Sequence, residues 1–364
     1  MKNRTLQLVG ELLRPNTSKR RSIPVFDGAM SPNDDLDDFE IVENAITEPE
    51  DLAMLKGGEL LIAGKSGIHI LAGSKKEILV TPSNEVISIA VGPNNQIFAG
   101  IADVGVVQIG FDGSQEVVLN SSGGQPLRVP SSMTITPEGQ LFVTDASTVH
   151  RWDQRPRDLM TNGASGRLIQ FDLSSGKSTE IMSELAWPSG ICVASSDQLV
   201  LAESWAHQIS MFDISRGSRT VLKSGLAAYP ARVNLASGGR FWLTFWAARN
   251  RFVEFVLTED EFRKEMIETI PQEFWIGPAI RSTNEPWEPM QIGGMRHHNK
   301  VKPWSPPRSY GLCARFNKNG RFDTSFHARA GSIRHGTTAG IEKDGVLYVV
   351  SRGGSLIMSK EVAS

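Results

Sequence analysis

The chain has 364 residues, 40% of them hydrophobic, and a formal net charge of −2 at pH 7. This balance lacks the basic footprint of a nucleic-acid-binding surface, and no run of about 18 apolar residues predicts a membrane span. We therefore expect neither a nucleic-acid partner nor a membrane span.

The start of the chain is predicted to be an extended arm over residues 1–40. Its charges are not followed by a sustained apolar region, which argues against a secretory signal and favours a cytoplasmic protein. The acidic run at residues 34–38 is typical of a solvated face. Cys192 and Cys313 lie in apolar strand-like runs, which predicts buried free thiols in a reducing compartment.

One phrase recurs from residue 41 onwards and predicts the architecture. It is Pro or a similar residue, two further positions, an apolar residue, a polar turn, and then an apolar strand. The six copies begin at Pro49, Val86, Pro130, Pro188, Pro230 and Thr337. The first five starts are 37 to 58 residues apart, which suits four-stranded blades. Residues 41–364 are therefore predicted to form an all-β, six-bladed propeller, with blade one starting near residue 41.

The wide interval before the sixth copy predicts a cap-like insertion over residues 258–308, between blades five and six. Thr258 and Glu261 have the spacing of a capping box at a helix start. Phe262, Met266 and Ile270 recur at helical spacing, so they would form one apolar face. The tryptophan-rich stretch that follows favours an ordered cap.

The phrase also predicts a ring of side chains around one mouth of the central channel. The six equivalent positions, called the axial ring below, are Glu50, Ile87, Ser131, Ser189, Ala231 and Thr338. Glu50 is the only ionisable member, so it is a candidate catalytic residue. The alternative is that Glu50 caps a backbone amide or pairs with an arginine.

A second tier of candidates follows the inner strands. Asp145 and Glu203 stand at strand ends, where acidic residues in propellers often hold turns through backbone amides. His207 could approach the mouth and bind a ligand. The adjacent His297 and His298 would point in opposite directions from an extended loop, so we expect no two-histidine metal site there.

The densest cluster of polar side chains precedes the sixth inner strand. It contains His327, Arg329, Arg334 and His335. Arginine recognises carboxylate or phosphate, and histidine serves as acid or base near neutral pH. We expect Arg334 and His335 to share one cavity with Glu50, Ser131 and Ser189; a solvated basic loop is the alternative.

Several segments resemble the strictosidine synthase-like family. They are Val129-Pro130-Ser131 with Phe142-Val143-Thr144-Asp145, Trp187-Pro188-Ser189-Gly190, Ala202-Glu203-Ser204, and Tyr229-Pro230 with Gly239-Arg240-Phe241-Trp242. The resemblance covers roughly residues 40–358. It implies a six-bladed propeller related to gluconolactonase and regucalcin lactonases and to paraoxonase-type hydrolases.

The resemblance also implies site residues. In strictosidine synthase a sixth-blade Glu acts in a Pictet–Spengler condensation, and Thr338 stands at that position here. In the lactonases a divalent cation on the axis is held by a first-blade Glu, by Asn residues and by an Asp. Glu50 matches that Glu, so Ca²⁺ with Glu50 as ligand is one expectation. Ser131 or Ser132 and Ser189 replace the Asn residues, and Ala231 replaces the Asp. Either Glu203 or Asp145 would then complete the metal site, or the site is metal-free.

Three functions remain open from the sequence. The first is hydrolysis of an ester or lactone, with Glu50 or His335 activating water and Arg334 or Arg329 stabilising the oxyanion. The second is non-catalytic binding of a polar or anionic small molecule. The third is a Pictet–Spengler-type condensation with Glu203 as a substitute acid. Motifs for a serine nucleophile elbow, a phosphate loop or a zinc site are absent from the sequence.

Overall fold

The structure is a computed structural model that describes residues 23–73, 75–281, 296–297, 300–301, 309–329 and 332–363. Its described residues form six four-stranded antiparallel sheets, which confirms the six-bladed, all-β propeller. No helix in these ranges is long and apolar enough to cross a membrane. Both cysteines are buried and unpaired.

The strands are numbered in chain order, and each blade follows the preceding one. Blade one comprises β2–β5 (Pro49–Met54, Leu60–Gly64, Gly67–Ala72, Lys75–Val80), and blade two β6–β9 (Val86–Val91, Ile97–Ile101, Gly105–Ile109, Gln115–Leu119). Blade three comprises β12–β15 (Pro130–Ile135, Gln140–Asp145, Gly166–Asp172, Lys177–Leu185), and blade four β16–β19 (Pro188–Ser195, Gln198–Glu203, Gln208–Asp213, Ser218–Lys223). Blade five comprises β20, β21, β24 and β25 (Ala228–Ala236, Arg240–Ala248, Leu312–Phe316, Phe322–His327). Blade six comprises β26–β28 (Thr337–Lys343, Val346–Ser351, Leu356–Glu361) and β1 (Glu40–Glu43). Two short ribbons pair β10 with β11 (Ser121–Ser122, Gln125–Pro126) and β22 with β23 (Arg296–His297, Lys300–Val301).

The burial of the strands follows their position in the blade. The second strands β3 and β7 are buried at every residue, whereas the outermost strand β9 is mostly exposed. Second strands are covered on both faces by neighbouring blades, so they are continuously apolar. This arrangement explains why the repeated apolar runs are readable in the sequence.

The propeller closes through its N-terminal strand. β1 pairs antiparallel with β28, with Ile41 opposite Met358. The prediction that blade one begins near residue 41 is therefore wrong. Residues 40–43 supply the outer strand of blade six, and blade one begins at Pro49. The pairing covers a strand edge that would otherwise be open.

The arm is fastened to the outside of blades five and six. Leu36 and Phe39 are buried, and short 3₁₀ turns at Gly28–Met30 and Asp35–Asp38 contact β25. The expectation of a solvated acidic run fails at Asp37, whose side chain is only 6% exposed. It accepts hydrogen bonds from Arg329 and Ser332.

The insertion lies within blade five, not between blades five and six as predicted, because β21 pairs directly with β24. Two helices follow β21: α2 (Arg251–Val256) and α3 (Asp260–Thr269). The capping box is wrong, because Thr258 donates to the Phe255 carbonyl at 2.7 Å and completes the turn after α2. Met266 is buried, but Phe262 and Ile270 are 44% and 40% exposed.

A further helix is inserted at the equivalent place in blade three. α1 (Arg155–Met160) lies between β13 and β14 and packs against α3. In a four-stranded antiparallel blade, the loop between the second and third strands lies at the end where the inner strand begins. Both insertions therefore stand over the mouth that carries the axial ring.

We predict that deletion of residues 1–43 lowers the free energy of unfolding by about 3–6 kcal/mol, because the burial of Leu36 and Phe39 is lost. Urea unfolding would measure the change. Deletion of residues 1–22 retains β1 and both 3₁₀ turns and serves as the control. Equal stability of the two truncated proteins would contradict the role given to β1.

Candidate functional site

The axial ring forms largely as the repeat predicts. Glu50, Ser131, Ser189, Ala231 and Thr338 line one small cavity on the propeller axis. Its volume is about 20 Å³, which is room for about one water molecule. Ring member Ile87 is fully buried beside it. We call this space the axial cavity.

A shared irregularity gives the ring its shape. In all six blades the pairing between the first and second strand shifts at the ring position. A β-bulge of this kind re-aims side chains at a sheet end. As a result Asp51, which follows Glu50, and Arg232, which follows Ala231, also meet near the axis, with Arg232 Nε 2.9 Å from Asp51 Oδ2.

Arg232 occupies the centre of this arrangement. Its Nη1 donates to Glu50 Oε1 at 2.9 Å, and its Nη2 donates to the Ser131 carbonyl at 2.9 Å and to the Ile87 carbonyl. The side chain is 5% exposed. Burial alone would lower the pKa of Arg232, but Asp51 and Glu50 raise it above its usual range. The guanidinium group therefore carries a fixed charge on the axis.

A second guanidinium group holds the other oxygen of Glu50. Arg352 Nη1 lies 2.9 Å from Glu50 Oε2 and 2.5 Å from Glu85 Oε1, while its Nη2 lies 2.9 Å from Glu48 Oε2. Burial opposes the charge, but Glu50 and Glu85 raise the pKa of Arg352. Both carboxylate oxygens of Glu50 are thus engaged, which makes Glu50 a poor general base.

The hydroxyl groups of the ring join neighbouring blades. Ser131 Oγ donates to the Pro188 carbonyl at 2.5 Å, and Ser189 Oγ donates to the Pro230 carbonyl at 2.8 Å. Thr338 differs, because its buried hydroxyl has no hydrogen-bond partner among the described residues. The serines therefore serve the assembly of the ring, and the free donor is in blade six.

A larger cavity adjoins the axial one. It has a volume of about 220 Å³ and shares Arg155 and Trp246 with the axial cavity. We call it the tryptophan pocket. Its lining consists of Arg155, Pro156, Leu159, Met160, Trp205, Trp246, Gln272, Trp275, Gly277, Pro278, Ile280 and Arg281. Helix α1 and the segment that follows α3, residues 272–281, therefore supply most of its wall.

Arg155 stands between the two cavities. Its Cζ atom lies 4.9 Å from the Trp152 ring centroid and 5.0 Å from the Trp246 ring centroid, which is cation–π distance. In the described part of the chain its guanidinium group has no hydrogen-bond partner. Burial lowers the pKa of Arg155 to about 10, so the group remains charged at neutral pH. It is a cation with unused donors.

The aromatic wall behind Arg155 is fixed by stacking and by one buried carboxylate. The ring centroids of Trp187 and Trp205 are 5.2 Å apart, and Trp205 and Trp246 meet edge to face at 6.0 Å. Asp158 of α1 accepts from Trp205 Nε1 at 2.8 Å and lies 2.9 Å from His150 Nδ1. These contacts hold α1 against the mouth.

Arg334 and His335 lie outside the axial cavity, contrary to the predicted shared site. Arg334 donates to the Asp37 and Phe39 carbonyls of the arm. Both ring nitrogens of His335 are engaged, Nδ1 with Ser309 Oγ and Nε2 with the Arg329 carbonyl, each at 2.9 Å. Burial lowers the pKa of His335. These groups fasten the arm and the loop before blade six.

The other members of the basic cluster are also structural. Arg329 pairs with Asp37 at 2.8 Å. His327 Nδ1 and Nε2 contact Tyr310 Oη at 2.8 Å and Ser325 Oγ at 2.9 Å. Burial lowers the pKa of His327 to about 3, so it is neutral. The alternative of a solvated basic loop fits only Arg329, whose side chain is 51% exposed, because His327, Arg334 and His335 are largely buried.

The second-tier acids hold turns and neighbouring strands. Asp145 accepts from the Val129 amide at 2.8 Å and pairs with Arg167, while burial raises its pKa to about 6. Glu203 accepts from the Ala186 amide at 2.9 Å and pairs with Arg219. Neither residue lines the two cavities described above.

His207 does not line the axial cavity. His207 packs on Tyr229 with ring centroids 4.7 Å apart, and its Nε2 lies 3.8 Å from Glu254 Oε1. His298 lies outside the described residues, and only the backbone of His297 is described.

The residues present do not fit the divalent cation that the resemblance implies. Glu50 is the only acidic residue that lines the axial cavity in the described part of the chain, and both its oxygens are bound by guanidinium groups. The Ile87 and Ser131 carbonyls accept from Arg232. Ca²⁺ needs six or more oxygen ligands, so we derive no step through a metal.

Sequence reasoning missed Arg155, Arg232 and Arg352. Arg232 had one available signal, because it is a charged residue inside an apolar inner strand, Pro230-Ala231-Arg232-Val233. Such a residue must be paired when it is buried. Arg155 and Arg352 lie after second strands and carry no such signal.

We predict that Glu50→Gln destabilises the fold by about 3–5 kcal/mol, because two buried guanidinium groups lose their shared carboxylate. Glu77→Gln on the exposed face of β5 is the matched control. Urea unfolding at pH 7 measures both. A Glu50→Gln protein as stable as the control would show that the pairs are not formed.

The pH dependence of Asp37 gives a separate test. Burial opposes its charge, but hydrogen bonds from Ser332 and Arg329 hold its pKa below the usual value. Its stabilising effect is complete above about pH 4–5, and it is lost as the pH falls through the lowered pKa. We predict that Asp37→Asn costs about 1.5 kcal/mol at pH 7, since Arg329 is half exposed.

The stability difference between wild type and Asp37→Asn should shrink below about pH 4 in urea unfolding. Asp38→Asn, at an exposed neighbour, is the control. A difference that grew as the pH fell would contradict the direction of the Asp37 shift.

The chain is similar to known proteins in sequence and in structure. A family model described as strictosidine synthase matches residues 131–217, and one described as strictosidine synthase-like, N-terminal, matches residues 28–68. The adipocyte plasma membrane-associated protein of Gallus gallus is 23% identical over 93% of this chain and 81% of its own length. Protein STRICTOSIDINE SYNTHASE-LIKE 6 of Arabidopsis thaliana is 26% identical, and the match covers 46% of each protein. The chain thus spans about half of that relative.

Solved structures share the architecture. A gluconolactonase from Xanthomonas campestris superimposes with a TM-score of 0.60 at 12% identity, covering 93% of this chain and 94% of that one. A putative gluconolactonase gives a TM-score of 0.56 at 10% identity, with coverage of 88% and 90%. At these identities the likeness shows the fold. The chain is therefore similar to strictosidine synthase-family proteins over these matched segments, and it shares the propeller fold of the gluconolactonase structures.

Proposed function

We propose that this propeller binds a small organic anion with a flat apolar body in the tryptophan pocket, with Arg155 as the anchor. One observation carries the proposal: the Arg155 guanidinium group lies between two tryptophan rings, lines the cavity and has no hydrogen-bond partner among the described residues. A carboxylate would accept from its free donors, and guanidinium geometry suits bidentate binding.

The size and lining of the pocket support this class of ligand. A cavity of about 150 Å³ holds one benzene ring, so 220 Å³ suits a compact body of one or two rings. Trp205, Trp275 and Leu159 offer apolar surface, and Arg281 adds a second cation. No acidic residue lines the described wall, so a bound anion meets no negative charge there.

Binding is favoured over hydrolysis because the described residues of the lining include no available base. Glu50 is held in two ion pairs, and Ser131 and Ser189 donate to backbone carbonyls. A general base must be able to reach and accept a proton. Arg334 and His335, the predicted partners of Glu50, contact the arm and its neighbouring loop instead.

Hydrolysis of an ester or lactone is the second candidate. It is favoured by the structural neighbours, whose titles describe a gluconolactonase and a putative gluconolactonase. Arg155 could stabilise an oxyanion in a desolvated pocket, while Thr338 offers a hydroxyl with no partner among the described residues. The Pictet–Spengler alternative lacks support, because its substitute acid Glu203 pairs with Arg219 and lines neither described cavity.

We predict that 2-naphthoate binds the wild-type protein and that Arg155→Gln weakens its binding at least about tenfold, or about 1.4 kcal/mol. Isothermal titration calorimetry measures both. The affinity of the neutral 2-naphthamide should fall only slightly in Arg155→Gln, because this ligand carries no charge to pair with the guanidinium group. Arg251→Gln, an exposed arginine at the start of α2, is the control.

Equal affinity of naphthoate for wild type and Arg155→Gln would overturn the proposal. A panel of aryl esters and lactones tests the second candidate. Turnover by wild type that is lost in Arg155→Gln but kept in Arg251→Gln would establish hydrolysis at this pocket in place of simple binding.

A further inference from the structure

We infer that the guanidinium group of Arg232 is the resident cation of the propeller axis, and that it holds, in place of a metal ion, the oxygen atoms that would otherwise form a cation site. This inference concerns the axial cavity and stands apart from ligand binding in the tryptophan pocket. The inference follows from the misfit between the residues present and a divalent cation.

The oxygen atoms around Arg232 are those that a hard cation selects. They are Glu50 Oε1 at 2.9 Å, the Glu50 carbonyl at 3.3 Å, Asp51 Oδ2 at 2.9 Å, the Ser131 carbonyl at 2.9 Å and the Ile87 carbonyl. We call this set the oxygen cage. Two carboxylates with backbone carbonyls resemble the ligand sets of Ca²⁺. Here Nη1 and Nη2 of one planar group donate to Glu50 and to the two other carbonyls, while Nε forms an ion pair with Asp51.

The charge balance favours a guanidinium group over a metal in this chain. Arg352 lies on the opposite side of the Glu50 carboxylate at 2.9 Å. Arg155 adds a third guanidinium group at the rim of the axial cavity. A divalent ion added to the cage would meet these like charges, while removal of Arg232 would leave Glu50 and Asp51 short of a cation.

The backbone is shaped to bring Arg232 to the axis. A Cβ atom at Gly190 of blade four would lie 2.9 Å from Arg232 Cα and 2.5 Å from the Ala231 carbonyl. The lack of a side chain at Gly190 therefore permits blade five to approach closely. From there Arg232 reaches blades one, two and three through Glu50, Ile87 and Ser131.

The replacement makes two measurable claims. A cation that belongs to the polypeptide cannot be removed by a chelator or exchanged for another. The wild-type protein should therefore hold far less than one divalent ion per chain after exposure to Ca²⁺ and desalting, and its melting temperature should be the same in EDTA and in Ca²⁺. Truncation of Arg232 should expose the cage to metals.

The experiment compares Ca²⁺ and Mn²⁺ binding to wild type, Arg232→Ala and Arg232→Ala/Glu50→Gln. Metal content is measured by mass spectrometry, and melting is followed with each metal alone. We expect Arg232→Ala to gain a metal-dependent rise in melting temperature, and the double variant to lose it. Arg240→Ala, which removes one of the two arginine partners of Asp323 on the outside of blade five, should gain none.

About one divalent ion per wild-type chain that is lost in Glu50→Gln would overturn the inference. So would a folded Arg232→Ala protein with no gain in metal affinity. If Arg232→Ala does not fold, the wild-type metal content decides the question alone. None of these results depends on naphthoate binding, so failure here is distinguishable from failure of the proposed function.

Discussion

The ion pair between Glu50 and Arg232 is the contact on which the centre of this propeller depends. Each blade packs against its neighbours, but Arg232 links blade five to blades one, two and three across the axis. A buried pair of this kind is costly to desolvate and adds little net stability over an apolar isostere, yet losing one partner is severe. It therefore constrains the approach of the blades more than it strengthens the fold.

The same contact decides where a ligand can be recognised. Because Glu50 is shared by Arg232 and Arg352, the carboxylate at the ring is neutralised by fixed charges, and the axial cavity has room for about one water molecule. The unused charge lies one layer above, on Arg155. Arg155 lies beside Trp152 and Trp246, and the segments inserted into blades three and five add Leu159 and Trp275 to the lining. The repeat thus supplies the platform, and the insertions supply most of the pocket wall.

The sequence predicts those elements of the fold that depend on a local residue pattern. Six inner strands could be located because each blade repeats the same apolar runs. The closing strand at residues 40–43 could not, since its partner lies more than 300 residues away. Arg334 and His335 precede an inner strand, but adjacency in the chain does not reveal that they turn towards the arm. The bulges that bring Arg232 to the axis leave no signature in residue type.

A crystal structure of the full chain grown with 2-naphthoate and soaked in Mn²⁺ would show which cation occupies the axis and where the ligand binds. Anomalous scattering would locate the metal. We expect the Arg232 guanidinium group to lie between Glu50 and Asp51, the axis to hold no manganese, and the naphthoate carboxylate to contact Arg155. Manganese bound to Glu50 with Arg232 displaced would contradict this expectation.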